Sequence, residues 1–264
     1  MFNILNIELS SLCNKKCNFC GRRKIDREYP ELKLEYGYMS FGTLCKIDGD
    51  LERQQGSIMI QFHNNGEPLL YLKLKEALQL FNGHIRCMDT NGKLLVEKAD
   101  DIIDNLETIT ISTFENDPEA EEQYKLVKEF IKIKGDRKPN VIIRVLGNND
   151  IWAKKYWDMG LLTVDRIFHK PMGSFGYTKK TTIPEHGICC DFLNHPAINI
   201  KGDVSICVRF DPERKGVIGN INENSFSEIW YGSKRQEWLQ EHINGCRDNV
   251  PLCKTCDFWG IPRG

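Results

Sequence analysis

Cys13, Cys17 and Cys20 stand in the spacing C-x3-C-x2-C, and Cys253-Lys-Thr-Cys256 places a C-x2-C pair near the other end of the chain. Cys189, Cys190, Cys207 and Cys246 precede that pair, while Cys45 and Cys87 stand alone. The total of eleven is odd, and Met1–Glu8 has neither a basic n-region nor a small-residue cleavage site. Reduced thiols in a cytoplasmic protein are therefore expected, not a disulfide framework. Thiols grouped at short spacings read as metal or iron–sulfur ligands. Three thiolates in one tight loop can hold three irons of a [4Fe–4S] cube and leave the fourth open to a small molecule. Structural zinc favours four closed ligands, which suits the triad poorly. For the second group, a zinc ribbon and an iron–sulfur cluster fit the spacing equally.

These cysteines need a scaffold, and the hydrophobic pattern supplies one. Short β-branched runs are expected as strands at Ile4–Leu9, Ser57–Phe62, His84–Met88, Thr108–Ser112, Val141–Leu146 and Val164–Phe168. Helical periodicity lies between them: from a Ser40 cap to Leu51, from Pro68 to Phe81, and over Lys93–Leu106, Pro118–Ile133 and Asp150–Met159. Alternating strands and helices predict an α/β fold with a parallel sheet closed into a partial (β/α)6 barrel over residues 1–175. Six units fall short of the eight of a full barrel. After the Gly-rich stretch Pro171–Gly176, residues 176–264 are expected to form a small cysteine-rich domain with little core of its own. There, Ala197–Ile200 and Val204–Cys207 flank Lys201-Gly202-Asp203 as a hairpin, and Ser225–Tyr231 and Ser233–Ile243 read as short helices. Cys45 and Cys87 are expected as buried small hydrophobes.

Length and charge remove other classes. The 264 residues carry 36 basic and 37 acidic side chains, a net charge of −1, which argues against a nucleic-acid binder. No run approaches the roughly 18 apolar residues of a membrane span.

A C-x3-C-x2-C loop following the first strand of a six-strand barrel resembles the radical S-adenosylmethionine enzymes. That resemblance implies a [4Fe–4S] cluster on Cys13, Cys17 and Cys20, with S-adenosylmethionine on its open iron. It also implies cleavage to a 5′-deoxyadenosyl radical, driven by a one-electron reductant such as flavodoxin or ferredoxin. Phe19 matches the aromatic residue that lies near adenine in the family. Gly66-Glu67-Pro68, after the second strand, looks like its G-G-E-P motif for the cofactor's amino group, with Asn65 in place of the first Gly. Read without the family, the tripeptide is a turn into a helix with Pro at N1. Asn91, in Thr90-Asn91-Gly92, resembles a further cofactor-binding motif, or is an ordinary Asn-Gly turn. Ser112 and Arg144, at strand ends, are candidates for ribose or carboxylate contacts, and His63 and His169 also fall at strand ends.

The order C…G-x4-C…C-x2-C in the tail resembles the Twitch domain, the short form of the SPASM extension. Gly219-Asn220-Ile221 and Ile229-Trp230 resemble its linking segment. The resemblance implies one auxiliary [4Fe–4S] cluster on Cys207, Cys253, Cys256 and one of Cys189 or Cys190. Cys190 is the residue favoured here, and Cys246 is read as spare.

A fully ligated auxiliary cluster suits electron transfer, and therefore a reaction that releases electrons. Size and layout resemble the family's compact dehydrogenases, which oxidise a secondary alcohol of a cyclitol to a ketone. Oxidation of an alcohol on a small sugar-like molecule is the leading expectation. Maturation of a ribosomally made peptide is the second, lowered because the chain begins at the first strand without a leader-binding domain. A non-catalytic metal-stabilised binding protein is the third. The catalytic base has no sequence signal.

Overall fold

Alternation decides which face each strand buries, and the computed structural model carries this through six parallel strands. It describes residues 2–17, 19–53, 56–147, 149–166 and 188–256. The strands are β1 (Ile4–Ile7), β2 (Met59–Phe62), β3 (Ile85–Thr90), β4 (Thr108–Phe114), β5 (Asn140–Leu146) and β6 (Leu162–Arg166), each paired in parallel with the next. Leu5, Ile7, Ile60, Phe62, Met88, Ile109, Ile111, Ile143 and Val145 turn to the helices and are buried in one core. The intervening residues Asn6, Gln61, Asp89, Ser112 and Arg144 therefore line the opposite face.

The helices covering the core are α1 (Gly21–Glu28), α2 (Phe41–Glu52), α3 (Leu74–Leu80), α4 (Ala99–Ile102), α5 (Ala120–Lys134) and α6 (Asp150–Trp157). Ser40 caps α2 by accepting the Thr43 amide at 3.0 Å. The helix expected from Pro68 is broken. Pro68–Leu70 is a single 3-10 turn, and the chain runs extended at Tyr71, whose hydroxyl donates to Met39 O at 2.9 Å, before α3 begins. Of Lys93–Leu106 only α4 is helical, burying Ala99 and Ile102, while the flanking non-helical segments bury Leu95, Ile103 and Leu106. Helix α1 gave no periodic signal, since Ile25 is its one apolar residue. Cys87 is buried, as expected, but Cys45 is exposed on α2 and is no core residue.

The tail does not form a separate layer. Helix α7 (Cys190–Asn194) leads into β7 (Ala197–Ile198), which pairs in parallel with β1 (Asn6 opposite Ala197). Strands β8 (Asp203–Ser205) and β9 (Val217–Asn220) continue antiparallel, giving the sheet order β6-β5-β4-β3-β2-β1-β7-β8-β9. The expected hairpin is present. Gly202, at its turn, has φ +84, and an added Cβ would lie 2.5 Å from Asn222. Helices α8 (Phe226–Trp230) and α9 (Ser233–Ile243) follow, with Ser225 and Glu228 forming a reciprocal cap on α8.

Ile198, Val204, Ile221, Phe226, Ile229 and Trp230 belong to the barrel's core, while a small separate cluster gathers Cys189, Phe192, Ile206, Val250, Leu252 and Cys253. Half of these buried tail residues are thus shared with the barrel, which helps to hold so short a segment. The expected boundary at 175/176 and His169 lie outside the described residues. Among the described residues no helix is long and apolar enough to cross a membrane.

Candidate functional site

Parallel strands bring their following loops to one end of the sheet, where such folds build their sites. The loop after β1 carries the triad. Cys20 is the N-cap of α1, so the helix's free amides and positive end lie beside the thiols. Burial pushes the Cys17 thiol up to about 12, and the charges of Cys20 and Cys13 add to this. Burial also raises Cys13, whose sulfur accepts the Lys15 amide. Bare thiolates at Cys13 and Cys17 are therefore costly. Positively charged iron would offset that cost.

Lys15 lies inside the loop, and its ammonium, with the side chain 3% exposed, bonds Asp117 Oδ2 at 2.6 Å. Asp117 follows β4, so this ion pair fastens the cysteine loop to its neighbour. Phe19 packs edge-on against Phe114, at the end of β4, with centroids 4.7 Å apart. Arg22 reaches Asn65 O at 2.6 Å, tying α1 to the loop after β2.

Gly66 is required by contact. A Cβ there would stand 1.9 Å from Ser10 O, so any side chain would push the β2 loop off the triad loop. Glu67 is fully committed inside the protein. Its Oε1 accepts Thr90 Oγ1 at 2.7 Å and the Leu69 amide at 3.1 Å, and its Oε2 accepts the Asn91 amide at 2.8 Å. Burial pushes its carboxyl up to about 7 against those hydrogen bonds. Pro68 opens the turn that Glu67 caps. The motif thus welds the ends of β1, β2 and β3 together.

Asn91 donates its side-chain amide to Asn14 Oδ1 at 2.8 Å and to Cys13 Sγ at 3.8 Å. Arg144 pairs with Asp89, whose Oδ1 also accepts Gln61 Nε2 at 2.9 Å. Ser112 offers its carbonyl to Gln123 at 2.9 Å. His63 accepts Asn6 Nδ2 on its carbonyl at 2.8 Å. Sequence reasoning missed Lys15, Asp117, Gln61 and Asp89. The signal for the last two was a polar residue at alternate positions of otherwise apolar strands.

The tail gathers a second thiol set. Burial drives Cys207 well above its ordinary range, with the charges of Asp191, Cys189 and Cys256 adding to it. Burial pushes Cys253 to about 12, and Cys256 and Cys189 contribute there too. Cys189 is packed in the small core with Cys253, whereas Cys190 opens α7 and is absent from that core. Cys189, the N-cap of α7, is the neighbour whose charge reaches Cys207 and Cys253. Cys246 is exposed beyond α9. A set of four thiols, with Cys189 and Cys253 buried and Cys207 and Cys256 half-buried, suits a cluster, although among the described residues no three His, Cys, Asp or Glu side chains converge as ligands of a single ion.

Residues 189–257 match the SPASM family, an iron-sulfur cluster-binding domain. Across the whole chain, the protein is 26% identical over 261 residues to the S-adenosyl-L-methionine-dependent 2-deoxy-scyllo-inosamine dehydrogenase of Niallia circulans, covering 97% of this chain and 93% of that protein. The fold is similar to BtrN in complex with AdoMet and 2-DOIA, with TM-score 0.67, 20% identity, and 97% and 93% of the two chains covered. It is also similar to BtrN in an open conformation, with TM-score 0.58, 20% identity, and 97% and 92% covered. Streptococcus suis SuiB bound to S-adenosylmethionine matches with TM-score 0.57 and 15% identity over 97% of this chain and 71% of that one. The architecture is similar to that of these proteins, with the segment that matches SPASM joined to the parallel sheet through β7 and β1.

Proposed function

We propose that the protein is a radical S-adenosylmethionine oxidoreductase that removes two electrons from an alcohol on a small, sugar-like molecule. Cys13, Cys17 and Cys20 would hold a [4Fe–4S] cluster, and Cys189, Cys207, Cys253 and Cys256 an auxiliary one. With S-adenosylmethionine, the first cluster supplies a 5′-deoxyadenosyl radical for hydrogen abstraction. The observation that carries the reading is the joining of β7 to β1, because it builds both thiol sets onto one sheet. The likeness to a dehydrogenase over nearly the full chain supports the oxidative outcome.

The chain's own residues prepare the site. Lys15–Asp117 and Glu67 fix the loops that present the triad. Phe19, half-buried at the mouth, offers a ring for an adenine to lie on. Asn6, Gln61, Asp89, Ser112 and Arg144 make the inner face polar, which favours a hydroxyl-rich substrate over an apolar one.

Anaerobic reconstitution tests this. About eight irons per chain are expected, falling to about four when Cys13, Cys17 and Cys20 are replaced by Ala. Reduced enzyme should release 5′-deoxyadenosine and convert a member of a cyclitol and amino-sugar panel to a ketone. Zinc in the tail, or cofactor cleavage coupled only to a peptide substrate, would overturn the reading.

A further inference from the structure

Arg209 stands two residues beyond Cys207, and its backbone amide hydrogen-bonds the Cys207 sulfur. Its side chain crosses to the C-x2-C loop. Nη1 donates to Leu252 O at 2.7 Å, and Nη2 donates to Thr255 O at 3.2 Å and Thr255 Oγ1 at 3.5 Å. Leu252 and Thr255 immediately precede Cys253 and Cys256. One residue therefore grips both halves of the second thiol set.

The charge of that guanidinium is held differently from the cation of the first set. Lys15 is matched by Asp117 at 2.6 Å and Glu119 at 3.6 Å. The hydrogen bonds of Arg209 go to carbonyl and hydroxyl oxygens instead. Asp211 feels the same guanidinium, but its carboxylate receives the amides of Lys215 and Gly216 at 2.9 and 2.6 Å. The positive field reaches Cys253, where Arg209 and then Arg247 oppose the effect of burial. Arg247 Nη1 also bonds Cys256 O at 3.3 Å.

We propose that Arg209 sets the potential of the auxiliary cluster, raising it so that the cluster takes up an electron more readily. Reduction adds a negative charge to a group already held by four thiolates, in a pocket whose burial disfavours added charge. A fixed cation against the C-x2-C loop stabilises the reduced form more than the oxidised form, and hydrogen bonding and charge are the protein's means of tuning such clusters. Arg209 is a positioning residue in this proposal. The proposal rests on the auxiliary cluster of the preceding reading.

The test uses the full chain carrying Cys13, Cys17 and Cys20 replaced by Ala, so that the auxiliary cluster alone is titrated. Iron is counted first, and about four irons are required. An iron-free tail would overturn both the functional reading and this proposal. The midpoint is then read by electron paramagnetic resonance in a redox titration. Arg209→Gln should lower the reduced-to-oxidised ratio at the parent midpoint about tenfold, a shift of about 59 mV for one electron. Arg209→Lys keeps the charge without the forked grip and should stay near the parent. An unchanged midpoint in Arg209→Gln, or equal shifts in both variants, would overturn the proposal in favour of a purely mechanical clamp. Should Arg209→Gln lose its iron, Arg209→His decides. Its midpoint should fall as the imidazole deprotonates with rising pH, and a midpoint no more pH-dependent than the parent's overturns the proposal.

Discussion

Asn91 donates its side-chain amide to the sulfur of Cys13 across 3.8 Å, so the end of β3 touches the first cysteine of the triad. Its other groups are also engaged. The backbone amide meets Glu67, the carbonyl accepts Gln123 at 2.8 Å, and Oδ1 accepts the Lys93 amide at 2.9 Å. An N–H donated to a ligating sulfur favours the reduced cluster. Asn91→Ala should lower the midpoint of the first cluster while iron is retained, and cost about 1–2 kcal/mol of stability. An unmoved midpoint in a redox titration would restrict Asn91 to loop structure.

Glu67 is expected to reveal itself in stability before affinity. Glu67→Ala strips the acceptor from Thr90 Oγ1 and from the amides of Leu69 and Asn91, and should cost about 2–4 kcal/mol in denaturant unfolding. Weaker S-adenosylmethionine binding should accompany it, because the β1, β2 and β3 loops lose their common tie. A variant of native stability would refute the structural role.

Cys189→Ala and Cys190→Ala separate neighbours that the spacing treats alike. The first should lose the auxiliary cluster, about four irons of eight. The second should keep it, at most losing a little packing at the start of α7. The reverse result would restore Cys190 as the ligand.

His242 supplies a pH dependence. Its ring is fully buried in α9 and stacks on Phe192 at 4.4 Å. Burial, with the charge of Arg247, lowers its pKa to about 4. The unfolded chain takes up a proton near 6.5 that the folded chain refuses until about 4. Stability is therefore full above about 6.5 and declines as pH falls toward 4, by about 3 kcal/mol in all. Unfolding of cluster-free protein at pH 7 and pH 5 measures this. His242→Phe should flatten the difference, and an equally steep profile in that variant would remove His242 as the cause.

Strand positions were legible because alternation and β-branching mark them locally, and the cysteine spacings were legible because ligands cluster in sequence. The place of the tail was not. No local pattern says that Ala197 pairs with Asn6, since the β1 edge is indistinguishable in sequence from any buried strand. Helix α1 was hidden because it is held by Arg22 and Ile25 and not by an apolar stripe. The internal ties of Glu67 were hidden for a related reason: no local pattern says that its carboxylate accepts from Thr90 and Asn91 at the end of another strand.

Glu8 and Asp50 extend the same joint beyond the sheet. Glu8 accepts the Asn65 amide at 3.1 Å and the Ile200 amide at 3.2 Å, while Asp50 Oδ2 accepts the Phe226 amide at 2.8 Å.

Because β7 completes the β1 edge, the order of synthesis becomes part of the molecule's chemistry. Cys13 leaves the ribosome long before Ala197, which must arrive to cover β1. At about 5–20 residues per second, that delay is about 10–40 s. Throughout it, the first strand carries an open edge, a template for pairing with a neighbouring nascent chain. Native pairing of such distant segments is also slow, because the loop must close before the contacts stabilise it. The early cysteine loop therefore waits for the end of the chain before its scaffold is complete, and both thiol sets mature in the same late interval.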